Sequence, residues 1–305
     1  MVWGTEIAWY LFLAGLGSGA FATGVWASWK CPDCRYLQKA AFCIAPIAVA
    51  IGLVLLMVDA RAGFMHPMRF FLLVSNLESV MSWGVIILGL FMVVALARCA
   101  CCFANKSCIV WLDAVGVVLS LCTAGYTGVL LGAASQVFPL WNPIVLPILF
   151  VVSAASTGTA VAVLGGMAWS RGSESEPFDL KCVHVVLPVV ELALIAVLLL
   201  VTSGVSGVEA SAAGAAGLAS VASITKGTYA IAFWIALVVV GLVLPLCANL
   251  IEVRLRKRVW NSGPRACSEV VMRKRNVLTL MSASALLVGG FVLRYIIVLG
   301  AVAVA

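Results

Sequence analysis

Long runs of apolar side chains, broken by short polar segments, fill the chain from end to end. A helix rises about 1.5 Å per residue, so about 20 mostly apolar residues carry it across the hydrocarbon of a bilayer. Eight runs meet that length, at about 6–29, 37–58, 79–98, 109–133, 144–169, 183–203, 228–250 and 278–303. The breaks hold turn formers and charges, as in Lys30-Cys31-Pro32-Asp33, Asp59-Ala60-Arg61-Ala62-Gly63 and Ser170-Arg171-Gly172-Ser173. The runs are continuous, whereas the strands of a transmembrane barrel alternate apolar and polar residues. The pattern therefore predicts an all-α integral membrane fold. From about Gly204 to Lys226 the chain is rich in Ala, Gly and Ser. That stretch is too weakly apolar for a span and is expected to hold a short helix on the outer face. No fixed-period repeat is visible.

Composition narrows the class. Of 305 residues, 64% are hydrophobic and 10% charged, against about 25% charged in a soluble domain. This excludes a soluble enzyme, a nucleic-acid binder and a disordered chain. The sparse charge is sorted by side. Loops after the first, third, fifth and seventh runs hold Lys30, Arg35, Lys39, Arg98, Lys106, Arg171, Lys181 and eight cations from Arg254 to Arg275. The opposite side holds Arg61, Arg69, Lys226 and Arg294. Cations mark the cytoplasmic side, so both termini are expected outside. The net charge of +7 is thus an orientation signal. The basic run Arg254–Arg258 reads as a membrane flank, with no nucleic acid implied. Met1-Val2-Trp3-Gly4 lacks a basic n-region, and the first run is too long for a signal-peptide core, so it is expected to remain as an anchor. Gly15 with Gly19, and Ala20 with Gly24, form small-xxx-small pairs that let helix backbones approach.

Eleven cysteines stand in the chain. Most sit in or beside the loops assigned to the cytoplasm, where thiols stay reduced. Cys31-Pro32-Asp33-Cys34 and Cys99-Ala100-Cys101-Cys102 would together offer thiolates to a metal; cysteine is also a small apolar filler. No metal site is assigned. The two histidines, His66 and His184, fall on opposite sides of the membrane. They cannot share one iron, so no haem is expected.

Ionisable groups within a bilayer are expensive and are functional candidates by default. Glu191 lies ten residues past Lys181, roughly 15 Å deep. Asp113 is near the cytoplasmic end of the fourth run, and Arg294 near the outer end of the eighth. The outer side collects Glu6, Asp59, Arg61, His66, Arg69, Glu78 and Tyr126, all from the first four runs and their connections. A protonatable set at one membrane face, beside apolar helices, suits a quinone. Its headgroup needs a donor and an acceptor, and quinol oxidation needs bases working near neutral pH. The alternative is that these charges are solvated helix ends.

Several ordered stretches carry a resemblance. Trp3-Gly4-Thr5-Glu6-Ile7-Ala8-Trp9-Tyr10-Leu11-Phe12-Leu13-Ala14-Gly15-Leu16-Gly17-Ser18-Gly19-Ala20-Phe21 is similar to the first helix of the polysulfide reductase membrane-subunit family (NrfD/PsrC-like). His66-Pro67-Met68-Arg69-Phe70 and Ser79-Val80-Met81-Ser82-Trp83-Gly84 resemble its second loop and third helix. Tyr126-Thr127-Gly128-Val129-Leu130-Leu131 with Pro139-Leu140-Trp141-Asn142 resembles its fourth helix and the following turn. Phe233-Trp234, Gly241-Leu242-Val243-Leu244-Pro245 and Gly289-Gly290-Phe291-Val292-Leu293-Arg294 fit its last two helices. The resemblance implies eight transmembrane helices in two four-helix bundles, both termini outside, as one domain over 1–305 in the cytoplasmic membrane of a bacterium or archaeon.

It also implies a membrane anchor subunit of an anaerobic respiratory oxidoreductase. Such a subunit exchanges electrons between a membrane quinol, here menaquinol, and a four-cluster ferredoxin-like iron–sulfur subunit on the outer face. A molybdopterin catalytic subunit completes the complex. The iron–sulfur clusters and molybdopterin belong to those partners; the membrane subunit holds a quinone and no haem. Tyr126 matches the family's helix-4 tyrosine and would hydrogen-bond the headgroup. His66, Glu6, Asp59 and Glu78 lie in the right region to accept a proton. Arg294 either pairs with one of those carboxylates or snorkels to the interface. Glu191 and Asp113 are candidates for a proton path. A secondary transporter, with Pro188, Glu191 and Pro245 at a midplane site, and a haem-b cytochrome anchor are the alternative classes. The cytoplasmic CxxC stands outside the family pattern.

Overall fold

The structure is a computed structural model that describes residues 4–59, 79–104, 110–170, 177–204, 212–262 and 269–304; the side chains at 59, 178, 255–262 and 269–273 lie outside that description. Its elements are helices. They are α1 Thr5–Lys30, α2 Arg35–Asp59, α3 Val80–Phe103, α4 Val110–Gly132, α5 Val145–Trp169, α6 Phe178–Gly204 and the short α7 Ala212–Thr225. Then come α8, a π-helical segment Ala232–Val243 that runs on as an α-helix over Leu244–Ser262, and α9 Glu269–Leu299. All but α7 are long and apolar enough to cross a membrane, which makes eight such helices among the described residues.

The spans fall where the apolar runs lie, with two informative shifts. The eighth was expected at 278–303, yet α9 begins at Glu269. Hydropathy ends a span where the hydrocarbon ends, but a helix continues into the headgroup layer when its residues are good helix formers. Glu, Arg and Lys are such residues. At the other end α9 stops before Gly300, whose N–H caps Ile296 O at 2.8 Å. Similarly, α6 starts at Phe178 rather than near 183, because Lys181 and His184 are buried on its inner face. Pro188 lies inside α6 without ending it.

Helix contacts close two rings. Helices α1, α2, α3 and α4 each pack on the next, and α4 packs on α1; α5, α6, α8 and α9 close the second ring. The rings meet where α5 touches α1, α2 and α4, and α9 touches α1. So α1 is central: 78% of its membrane-crossing stretch is buried, against 22% for α3. With an even number of crossings, the chain begins and ends at the same face, called the terminal end here; the opposite face is the basic end. The C-terminal tail is held at the terminal end by Val304 N–H to Val137 O (2.8 Å) and Val302 N–H to Ser220 Oγ of α7 (2.9 Å). Trp141 in the α4–α5 connection donates from Nε1 to Ile297 O of α9 at 2.8 Å.

Close backbone approach explains the α1 glycines. Gly19 rests on Ala154 and Gly158 of α5, and Gly24 on Ala41 and Phe42 of α2. With no hydrophobic driving force between helices in lipid, such van der Waals contact is a main source of association. A Cβ on Gly158 would overlap the backbone of Gly19, with no flexible side chain to yield. Gly158→Val is therefore expected to destabilise the protein by at least the ~1–3 kcal/mol of ordinary overpacking. Gly89→Ala, which meets no described atom within 4 Å, should leave it unchanged. Thermal melting of the two variants in detergent checks the pair; equal melting temperatures would refute the seam.

Candidate functional site

Two buried tyrosines define the terminal-end third of the first ring. Tyr126 of α4 is six residues from Gly132, and Tyr10 of α1 five from Thr5. Both therefore lie roughly 8–9 Å below the helix ends. Tyr10 is 1% exposed and Tyr126 8%. The two phenols are close enough to interact electrostatically. Tyr126 stands against α3, where a Cβ on Gly84 would overlap its ring and hydroxyl. Tyr10 packs beside Gly52 of α2. All four helices of the ring thus converge on this pair, and the glycines on α2 and α3 make the room. Thr123 Oγ1, one turn along α4 from Tyr126, is buried with no hydrogen-bond partner among the described residues.

Glu6 lies one turn above Tyr10, exposed in the first turn of α1. Asp59 is the last residue of α2, and its side chain lies outside the described residues. His66 and Glu78 are also outside them, as are Arg61 and Arg69. Tyr10 is the member that residue-by-residue reasoning missed. Its signal was present, four residues after Glu6 and on the same helical face, but a tyrosine in an apolar run reads as packing.

Arg294 was expected near the outer end of the eighth run, either paired with a carboxylate of the first four helices or snorkelling; it lies five residues from the end of α9 but does neither. Instead it is fully buried between the rings. Its Nε donates to Leu11 O of α1 at 3.2 Å, and Nη1 to Ser153 Oγ of α5 and Gly290 O, each at 2.9 Å. Its guanidinium stands 5.1 Å from the Phe150 ring centroid, and Nη2 points at Gly15 without a hydrogen-bond partner among the described residues. The carboxylate near enough to act on its charge is Glu191 of α6, which lies near Ser153 as well. The side chain reaches inward because Ser153 and Glu191 offer partners that lipid does not. Leu11 follows Tyr10, so the arginine ties the second ring to the backbone beside the tyrosine pair.

Asp113 likewise departs from its expected company. It forms a buried ion pair with Arg98 of α3 at 2.7 Å, and Arg98 sits 4.1 Å over the Phe42 ring of α2. That pair locks three helices at the basic end and engages the acid that was a candidate partner of Glu191 in a proton path. Among the described residues, no three His, Cys, Asp or Glu side chains converge as a metal set. A groove of about 210 Å³ runs between α1, α4, α5 and α6, past Trp26, Leu121 and Val183. The hydroxyls of Ser18, Thr23 and Ser120 on its wall bond back to carbonyls of their own helices. It presents an apolar surface to hydrocarbon and lies away from the tyrosine pair.

The sequence profile of the family described as "Polysulphide reductase, NrfD" matches residues 1–305. The protein belongs to this family of multi-pass membrane proteins of the cell membrane. It is 32% identical to the C subunit of polysulfide reductase from Wolinella succinogenes over 191 residues, 55% of this sequence and 59% of that one. It is 31% identical to protein NrfD of Escherichia coli over 220 residues, 62% and 67% of the two sequences. It is 24% identical to a NrfD homolog of Haemophilus influenzae over 283 residues, 82% and 84% of the two. The match to the first relative thus spans under two thirds of that relative's length.

Removing one partner of a buried ion pair leaves the other charge uncompensated, at a cost of about 3–5 kcal/mol. Asp113→Asn should therefore lower the melting temperature sharply. Adding Arg98→Met to it should recover much of the loss. A double variant no more stable than Asp113→Asn alone would show that the pair does not hold α3 to α4.

Proposed function

We propose that this protein is the membrane anchor of an anaerobic respiratory oxidoreductase, where menaquinol passes electrons to, or receives them from, an iron–sulfur subunit on the terminal face. The observation that carries the reading is the buried Tyr10–Tyr126 pair at one depth in the first ring. Two phenols in apolar walls fit a quinone ring: hydroxyls meet the carbonyl oxygens, and helix faces take the ring and its tail. Oxidation of the quinol releases two electrons and two protons. Tyr126 holds the headgroup through a hydrogen bond, and Tyr10 sets the opposite wall. Glu6, Asp59, Glu78 or His66, at the terminal ends of α1 and α2 and in the segment leading to α3, takes the protons toward the outer water. Arg294 serves as a positioning residue, fixing α1 at Leu11, next to Tyr10.

The partners are a four-cluster ferredoxin-like subunit and a molybdopterin catalytic subunit. Support comes from the family match over all 305 residues and from the relative that is itself a polysulfide reductase subunit.

The test is menaquinol-linked turnover of the purified complex. Tyr126→Phe removes one hydroxyl, and a buried hydrogen bond contributes about 1 kcal/mol or more. Turnover should fall about fivefold to tenfold while the iron–sulfur subunit still copurifies. Gly84→Ala, which pushes the Tyr126 ring aside, should fall at least as far. Wild-type turnover in Tyr126→Phe and Tyr10→Phe alike would sink the site. For orientation, a reporter placed after Ala305 is expected on the outer side of sealed cells; a cytoplasmic reporter would reverse the docking face.

A further inference from the structure

A second buried charge cluster, at the basic end of the second ring, has no part in the quinone reading. Lys181 Nζ of α6 meets Glu252 Oε2 of α8 at 2.7 Å and donates to Thr279 Oγ1 of α9 at 2.9 Å. Thr279 in turn donates to Glu252 at 3.1 Å. Arg275 Nε of α9 stands 3.7 Å from Glu252 Oε1 and makes no hydrogen bond among the described residues. Two cations therefore share one carboxylate. Lys181 and Glu252 are shielded, whereas the Arg275 side chain keeps 16% exposure and opens to the outside.

The surroundings add to the imbalance. Arg254 and Lys274 are exposed at the same level, where the seventh span ends and the eighth begins. Asp179, exposed at the start of α6, is the other described acid on these helix ends. Among the described side chains, Lys181, Arg254, Lys274 and Arg275 stand with the acids Glu252 and Asp179. Toward the midplane on the exposed faces of α8 and α9, the side chains turn apolar: Leu250, Ile251, Val277 and Met281 are all exposed. On α9 the order Lys274, Val277, Met281 follows one helical face at spacings of three and four.

A cation surplus at the headgroup level, with apolar stripes running into the hydrocarbon, has the polarity of an anionic phospholipid. A phosphodiester accepts the forked donors of a guanidinium. Basic pockets between transmembrane helices bind such headgroups. We propose that the basic ends of α8 and α9 form a binding site for one anionic phospholipid. Its phosphate sits against Arg275, with Arg254 and Lys274 at the rim, and its acyl chains lie along Ile251, Val277 and Met281.

The experiment uses the full-length protein, purified and stripped of lipid in detergent. Binding is read by native mass spectrometry and thermal melting with phosphatidylglycerol, phosphatidylcholine or inorganic phosphate. Phosphatidylglycerol should be retained and raise the melting temperature; the other two should do neither. Each rim cation contributes about fivefold in affinity. The double variant Arg254→Gln with Lys274→Gln should weaken phosphatidylglycerol roughly 25-fold, and Arg275→Gln should weaken it further. The rim side chains are exposed, so the double variant tests the site even where Arg275→Gln fails to fold. Equal retention of phosphatidylcholine, an equal response to inorganic phosphate, or unchanged affinity in the rim variant would each overturn the proposal. These readouts are of lipid binding, so their outcome is separate from that of quinol turnover.

Discussion

Arg294 is the contact on which the arrangement of the two rings depends. Hydrocarbon contains no water, so a buried guanidinium must find its partners in protein. This one finds them on α1, α5 and α9 and lies near an acid on α6. It can do so only because Gly15 leaves room beside it and because Gly19 and Gly158 bring α1 and α5 together. The polar node and the small-residue seam are one device. Either alone would be costly: the cation without partners, or the close seam without a directional contact to fix its register.

The same rule governs the other charges. Arg98 with Asp113 and Lys181 with Glu252 are buried pairs that join helices distant in sequence or consecutive across a loop. A buried ion pair adds little net stability relative to well-packed apolar residues. It does make wrong pairings of helices expensive, and eight apolar rods have many wrong pairings available. Against that background the tyrosine pair is different. Its members hold no loop or ring junction, yet four helices converge on it and two glycines clear its space. That is why the quinone reading centres there rather than on the deeper charges.

How much was legible beforehand follows from this. The spans were readable because length and hydropathy are local properties, and only ends such as Glu269 escaped, where helix propensity outruns the hydrocarbon. Tyr126 was readable through the family resemblance. Glu191 was readable as a deep acid from its count of residues past Lys181. The partners that Arg294, Asp113 and Lys181 find on other helices were not, because they lie 15 to 283 residues away in sequence and periodicity says nothing about which helix stands opposite. Tyr10 was hidden for the same reason: an aromatic inside an apolar run becomes informative only when a second buried phenol is found nearby.

The sequence by itself determined that the protein is a helical membrane protein with eight crossings and a strong charge asymmetry between its faces. Those follow from transfer free energies, which act residue by residue. Only the tertiary structure decided which helices close each ring, that Arg294 turns inward to Ser153 near Glu191, and that Tyr10 and Tyr126 are buried in the same part of the first ring. The physical reason is that, inside a bilayer, apolar surface is equally content against lipid or protein. The choice among packings falls to a few glycines and a few buried polar groups, whose partners exist only once the helices have come together.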